Sequence, residues 1–444
     1  MRAIVLASTA IILASTALAS TDPVVDTRQI MAGTVTTPKI KNEYLSGARD
    51  GTAPFQGALK AYKAVRAAEA PPPPPPPPPP ANPLLGEAPI ASNFDVNSEL
   101  VASWGSGAIP PSASPDVVGA FRFLCNAGQL LYDDPIVFPG QPGKSHLHQF
   151  YGNTGANANS TYASLRGGGS STCMSPLNRS GYWMPAMLDG KGNVIRPDAV
   201  WIYYKRRPMS DPVVSDPTNP KYEGQAVDLP NGLKFIFGFD MLTGKAPTGS
   251  LYFNCDGNGS VQGHYPTIEA AVASGNCKSG TNPDPTKSTD RARIGAVVNA
   301  PSCWNGKDLD SPNHREHVTY ASYGSWGYAK CPSTHPYVIP DFTLQAWFYV
   351  APGDDLSQWR LSSDEMRPEL PHGSTFHADF FMAWDPTVKK MWHDNCLNKK
   401  LNCSGGDLGN GRQLRMFTGF SVVANPRLVP IPPNPAGAMA GMEH

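Results

Sequence analysis

The chain has 444 residues, with 36 basic and 36 acidic side chains, a formal net charge of zero and only 16% charged residues. Charges so few and so balanced leave no basic patch for a phosphate backbone, which excludes nucleic acid as a partner. Its 47 prolines and 42 glycines interrupt helices, and the scattered aromatics among them point to a loop-rich β protein.

Arg2, the apolar run Ala3 to Leu18 and the small-x-small triplet Ala17-Leu18-Ala19 read as a signal peptide over 1–19, cut before Ser20. The run is short for a bilayer, and no later segment approaches the ~20 apolar residues that a spanning helix needs. The mature chain is therefore expected to be secreted, or periplasmic and associated with the cell envelope, without a stable membrane span. Residues 20–100 read as a disordered arm, polar and rich in small residues, with a short helix at 58–70. Pro71 to Pro80 are all proline. Such a run forms a stiff polyproline II rod of roughly 31 Å, either a stalk or a passive linker. One globular domain is expected over 101–426, followed by a flexible tail over 427–444.

Within the domain, strand-like runs recur at Ala199–Tyr204, Leu233–Phe239, Phe342–Val350, Phe376–Trp384 and Leu414–Val423, bounded by Gly, Pro, Asn and Asp. Thr267–Ser274 is the clear helix, stopped by Gly275. Eight cysteines without a C-x-x-C suggest up to four disulfides among 105 possible pairings. Cys396–Cys403 is plausible because a short loop closes easily. The predicted fold class is mainly β, sandwich-like, loop-rich and disulfide-stapled, with a few short helices.

His146 and His148 are two apart, so on a strand their imidazoles share a face and can supply half of a metal site. His377 and Asp379 repeat that spacing. A carboxylate beside an imidazole fixes its tautomer and raises its basicity, as a general base requires. Phe376, Phe380 and Trp384 would point the other way, into the core. The loop from Cys303 to His317 is dense in polar groups. Trp304 there could stack on a sugar face, with Asp308 or Asp310 bonding its hydroxyls; a stapled structural loop with a buried tryptophan is the alternative. No H-E-x-x-H, G-x-S-x-G or complete phosphate-binding loop is present.

Several segments occur in one order. They are Asp133-Asp134-Pro135-Ile136-Val137, Ser145-x-His146-x-His148-x-Phe150-x-Gly152-Asn153, Tyr182-Trp183-x-Pro185-Ala186-Met187, Cys303-Trp304-Asn305-Gly306 through Leu309-Asp310-Ser311-Pro312 to His314 and His317, Cys331-Pro332-x-x-His335-Pro336, and His377-Ala378-Asp379-Phe380-Phe381 to Trp384-Asp385. Together, over about 120 to 400, they resemble a secreted domain of unknown function common in fungi, often found beside WSC carbohydrate-binding modules, with bacterial members. Ala378 stands where that pattern usually has glycine, and no WSC module is apparent here. The resemblance implies a wall- or polysaccharide-associated role and supplies no reaction.

On this pattern His146, His148, His317, His377 and Asp379 are expected to converge in one cleft as the catalytic set, with His146, His148 and His377 holding a divalent metal ion. Trp304, Asp308, Asp310, His314, Tyr182 and Trp183 form the expected substrate-contacting set, and the expected partner is a polysaccharide or cell-wall component. Three readings follow: a polysaccharide-active enzyme with a metal-assisted centre, a non-catalytic carbohydrate-binding protein, or an envelope structural or sensing protein.

Overall fold

The computed structural model describes residues 83–103, 117–257, 259–280, 291–323 and 329–437. The expected signal peptide, the 58–70 helix and the proline run lie outside the described residues.

Two antiparallel sheets carry the architecture. The strands that build them are β1 (Gly119–Cys125), β2 (Leu130–Leu131), β3 (His148–Gly152), β4 (Gly181–Pro185), β5 (Ala199–Arg206), β6 (Lys234–Gly238), β7 (Leu251–Asp256), β8 (Arg293–Asn299), β9 (Asp341–Tyr349), β10 (His377–Phe381) and β11 (Asn402–Cys403). One sheet has five strands in the order β6-β10-β4-β3-β2, the other six in the order β7-β8-β9-β5-β1-β11. The last pair, β11 with β1, is parallel. Four short α-helices, α1 (Tyr162–Gly167), α2 (Pro212–Ser215), α3 (Ile268–Ala273) and α4 (Pro386–Trp392), lie between strands. The domain is mainly β, as expected.

Period-two alternation sorts each strand. Tyr182, Phe235, Phe237 and Phe380 point from the five-stranded sheet toward Phe123, Ile202, Tyr204 and Phe342 of the six-stranded one, and all are essentially fully buried. Phe342 stacks on Tyr182 at 5.6 Å and on Phe380 at 4.8 Å. Each such ring contributes about 1.5–3 kcal/mol of burial. Within this layer the Tyr182 and Tyr204 hydroxyls bond each other at 2.8 Å.

The outer face of the five-stranded sheet is divided. Phe150, Trp183 and Phe381 make an apolar half, covered by Ile136 and by Tyr162 and Leu165 of α1. Thr161 fixes that helix with a capping box. The other half is polar and carries His148, His377 and Asp379.

All eight cysteines pair, as Cys125–Cys173, Cys255–Cys277, Cys303–Cys331 and Cys396–Cys403. Among the described residues no helix is long and apolar enough to cross a membrane.

Three expectations need correcting. The ordered domain reaches back before residue 101. Gly86 bridges Asn231, Ser92 Oγ donates to Asp385 at 2.8 Å, and Leu100–Ala102 pairs with Arg412–Leu414. It also runs past 426, because Leu428–Pro430 pairs with Asn193–Ile195 and Tyr132 donates to the Pro432 carbonyl. Neither stretch looks strand-like in composition, but each finds an open edge for its backbone groups. Conversely, the run Leu414–Val423 is a strand only at its start, Arg412–Leu414. Gly419 then adopts a φ of +78°, and the Phe417 amide turns away to the Met174 carbonyl.

Candidate metal centre

His148 opens β3 opposite Pro185 of β4, and His377 opens β10 on the other side of β4. Gly238 of β6 pairs with His377 at a φ of +93°, and a Cβ there would meet the His377 Cα at 2.8 Å. Only glycine lets β6 approach so closely. His146 sits two residues before His148 on the same side. The ring centroids are 4.1 Å apart for His146–His148, 5.1 Å for His146–His377 and 6.0 Å for His148–His377. One ring nitrogen from each of the three lies within 4.8 Å of the other two, and Asp134, His148 and Asp379 make an overlapping group of the same kind. An ion with bonds of ~2.1 Å needs donors about 3–3.5 Å apart, a contraction that small side-chain rotations supply. The residues present therefore fit a divalent transition metal: three imidazoles and two carboxylates, all buried.

Neighbouring groups aim these donors. His148 Nδ1 donates to the Asp133 carbonyl at 3.0 Å, and His377 Nδ1 to the Thr375 carbonyl at 2.8 Å. In each ring the proton is thus held on Nδ1, leaving the Nε2 lone pair for a ligand. Asp133 is itself fixed, accepting from the Gly143 and Ala158 amides at 3.0 Å. Asp134 accepts from Ile136 and Val137 in its own turn. The turn Ser362-Ser363-Asp364 clamps both histidine segments. Ser362 donates to the carbonyl of Leu147, between His146 and His148, while Asp364 accepts from the Thr375 hydroxyl at 2.6 Å and the Gly373 amide at 2.7 Å.

The electrostatics are unbalanced. His148 Nε2 and both carboxylate oxygens of Asp379 are fully buried without a hydrogen-bond partner. Burial holds the Asp379 carboxyl well above the usual range, the negative charge of Asp134 pushes it the same way, and Arg315 opposes. Burial also keeps His148 below the ordinary imidazole range, against the raising effect of Asp134 and Asp133. A site with spare acceptors and too little positive charge is one that a cation would complete. His146, His377 and Asp379 line a cleft of about 280 Å³, walled by Phe138, Ile236, Met241, His314 and Arg315.

The structure therefore brings together His146, His148, His377 and Asp379, and leaves His317 out. His317 Nδ1 bonds Ser311 Oγ at 2.9 Å and its Nε2 bonds the Lys234 carbonyl at 2.9 Å, so both nitrogens are used. Lys234 pairs with Phe381, four residues along β10 from His377, or about 13 Å. The expected His377–Asp379 hydrogen-bonded pair does not form, because the Thr375 carbonyl takes His377 Nδ1. Trp304, Tyr182 and Trp183 are fully buried and offer no face to a substrate. Trp304 donates to the Asp308 carbonyl at 2.7 Å, Tyr182 sits between the sheets, and Trp183 stacks on Phe150 at 5.2 Å. Asp308 binds Asn305 in its own loop. Asp310 bonds His314 at 2.8 Å and pairs with Lys234 at 3.1 Å. These partners hold its carboxyl below the usual range although burial alone would raise it. Asp134, Ser362, Asp364 and Thr375 were not expected. Asp134 could have been found from its place in the ordered pattern; the other three carry no spacing signal.

No curated protein and no solved structure matches the chain. The family described as "Domain of unknown function (DUF1996)" matches residues 134–384, which is more than half of the chain and runs from Asp134 through every other donor of the centre to Trp384. With that extent of match, the chain belongs to the DUF1996 family.

Proposed function

We propose that the protein is exported, binds a divalent transition-metal ion on His146, His148 and His377 with Asp379 and Asp134 beside them, and acts on extracellular or cell-wall polysaccharide. The observation that carries the metal is the trio of buried, partnerless acceptors, His148 Nε2 and the two oxygens of Asp379. Leaving them so costs several kcal/mol unless a cation or a proton arrives. Export is supported by four disulfides, which persist in oxidising compartments, and by the signal-like first 19 residues. The polysaccharide is supported by the likeness to secreted fungal and bacterial domains found beside WSC modules.

When bound, the ion supplies Lewis-acid polarisation of a carbonyl, carboxylate or water. The chain's own residues do the rest. The Asp133 and Thr375 carbonyls hold His148 and His377 in the ligating tautomer. Val137, Phe138 and Ile236 give the cleft an apolar part of its lining.

Metal analysis of untagged protein tests the first step. One equivalent of a divalent metal is expected, lost in His377→Ala. A wild-type protein that takes up none ends this reading. Turnover of a glycan panel by the loaded form tests the second.

A non-catalytic carbohydrate-binding role is favoured by one observation. Trp201, 38% exposed on the outer face of the six-stranded sheet, lies 6.3 Å from Trp347 and 6.4 Å from Tyr203. Glycan retention without turnover, unchanged in His377→Ala but lost in Trp201→Ala, would favour it.

A further inference from the structure

The loop that follows Cys303 runs along the free edge of β6. The Lys234 amide donates to the Leu309 carbonyl and the Ile236 amide to the His314 carbonyl, each at 3.0 Å. Ile236 is in register with Asp379 on β10. The backbone of His314 thus lies two strand spacings, about 10 Å, from that of Asp379, with the cleft between the two side chains.

At this position the backbone is strained. His314 has a φ of +56°, a left-handed conformation that among the described non-glycine residues only Lys400 shares. It is unfavourable for a residue with a Cβ and persists where the surroundings enforce it, most often at functional sites. Here three contacts enforce it: the Ser311 carbonyl on the His314 amide, the Ile236 amide on its carbonyl, and Asp310 on its ring. The result places His314 and Arg315 side by side in the cleft wall. Arg315 is anchored by donation to the Gly238 and Phe239 carbonyls.

His314 has what His377 lacks. Its Nδ1 donates to a carboxylate, Asp310, at 2.8 Å, and Lys234 fixes that carboxylate from the other side at 3.1 Å. The ring is held in one tautomer, and Nε2 is left for whatever occupies the cleft.

We infer that His314 and Asp310 are the proton-transfer pair of this cleft, working on an O–H group of a ligand seated between them and the metal centre. The inference rests on the metal reading above. His314 Nε2 takes the O–H proton, Nδ1–H stays on Asp310, and the imidazolium so formed is balanced by that carboxylate. When the ligand departs, the same proton returns to its oxygen, so the pair ends as it began. The ligand class is one with an acidic or activated hydroxyl beside a second oxygen, as vicinal sugar oxygens provide.

Acetohydroxamate is a suitable probe, because it must lose one O–H proton to chelate an ion. Zinc is first titrated into wild type, His314→Gln and Asp310→Asn by calorimetry. All three are expected to take one equivalent with affinities within about twofold, since neither residue is a donor of the centre. Acetohydroxamate is then titrated into each loaded protein at about pH 7.5, in two buffers of different ionisation enthalpy. Wild type should release close to no proton to the buffer, because His314 keeps it. His314→Gln should release close to one and bind at least about tenfold more weakly, the worth of one charge-assisted hydrogen bond. Asp310→Asn should fall between. Zinc uptake with equal proton release in all three proteins overturns the pair alone, and so does zinc uptake without hydroxamate binding. No zinc uptake by wild type removes the metal reading instead.

Discussion

Two buried histidines, His317 and His148, make opposite use of the same side chain. His317 spends both nitrogens on the protein, one on Ser311 and one on the Lys234 carbonyl, and so ties the 305–317 loop to β6. His148 spends Nδ1 on the Asp133 carbonyl and keeps Nε2 buried without a partner. The first arrangement serves the fold, and the second lowers stability until something binds. Burial and residue type do not separate a structural histidine from a ligating one. The state of the second nitrogen does.

The contrast can be broken most strongly by pH. Burial lowers His317 to about 4. An unfolded imidazole titrates near 6.5, so as the pH falls below 6.5 the unfolded chain takes up a proton that the folded one refuses. The contribution is complete above pH 6.5 and is lost on the way to pH 4, by about 3 kcal/mol. Urea unfolding at pH 7 and pH 4.5 should show a steep loss for wild type and a distinctly shallower one for His317→Gln, which does not titrate. Equal slopes would mean that His317 is not held neutral by the fold.

Metal loading is the next largest effect. An ion at one hundred times its dissociation constant stabilises the folded state by about 2.7 kcal/mol. Wild type should gain that much in a melt, and His148→Ala should gain nothing. In ion-free buffer His148→Ala should be as stable as wild type or more so, because an unsatisfied acceptor has been removed. A marked loss of ion-free stability would place His148 in the same class as His317.

The smallest effect lies one contact behind the donors. Asp364 touches no donor of the centre, yet it holds Thr375, whose carbonyl holds His377. Asp364→Asn should weaken ion binding about tenfold at unchanged stoichiometry. An unchanged affinity would show that the turn only closes the fold.

Alternation made part of this visible in the chain itself. His377 and Asp379 face outward while Phe380 faces the core, as period two requires, and His146 and His148, also two apart, bring their rings to 4.1 Å of each other on the same side. What escaped sequence reading has physical causes. The Thr375 and Asp133 contacts run through backbone carbonyls, which every residue has. Trp304 reads as a sugar platform, and Tyr182 and Trp183 as substrate contacts, because a buried aromatic and an exposed one look alike until the neighbouring layer is known. In the loop after Cys303, His314 and His317 are equivalent on paper; a left-handed backbone at His314 sends one into the cleft and the other beneath β6. The early and late edge strands, Leu100–Ala102 and Leu428–Pro430, pair through their main chain and so needed no strand-like composition.

The disulfides also have a reach. They join residues 48, 22, 28 and 7 apart, so each staples a local excursion. His146 and His377 are 231 residues apart (377 minus 146) and meet across β4, at the ends of two strands of one sheet. A coordinated ion would therefore close a circuit that no sulfur bridge in the described chain closes. Because the entropy of loop closure grows with the logarithm of loop length, that circuit is the long one. Chelation would act on the global opening of the sandwich, and reduction of the disulfides on its local loops, so the two treatments should expose different peptide bonds to a protease.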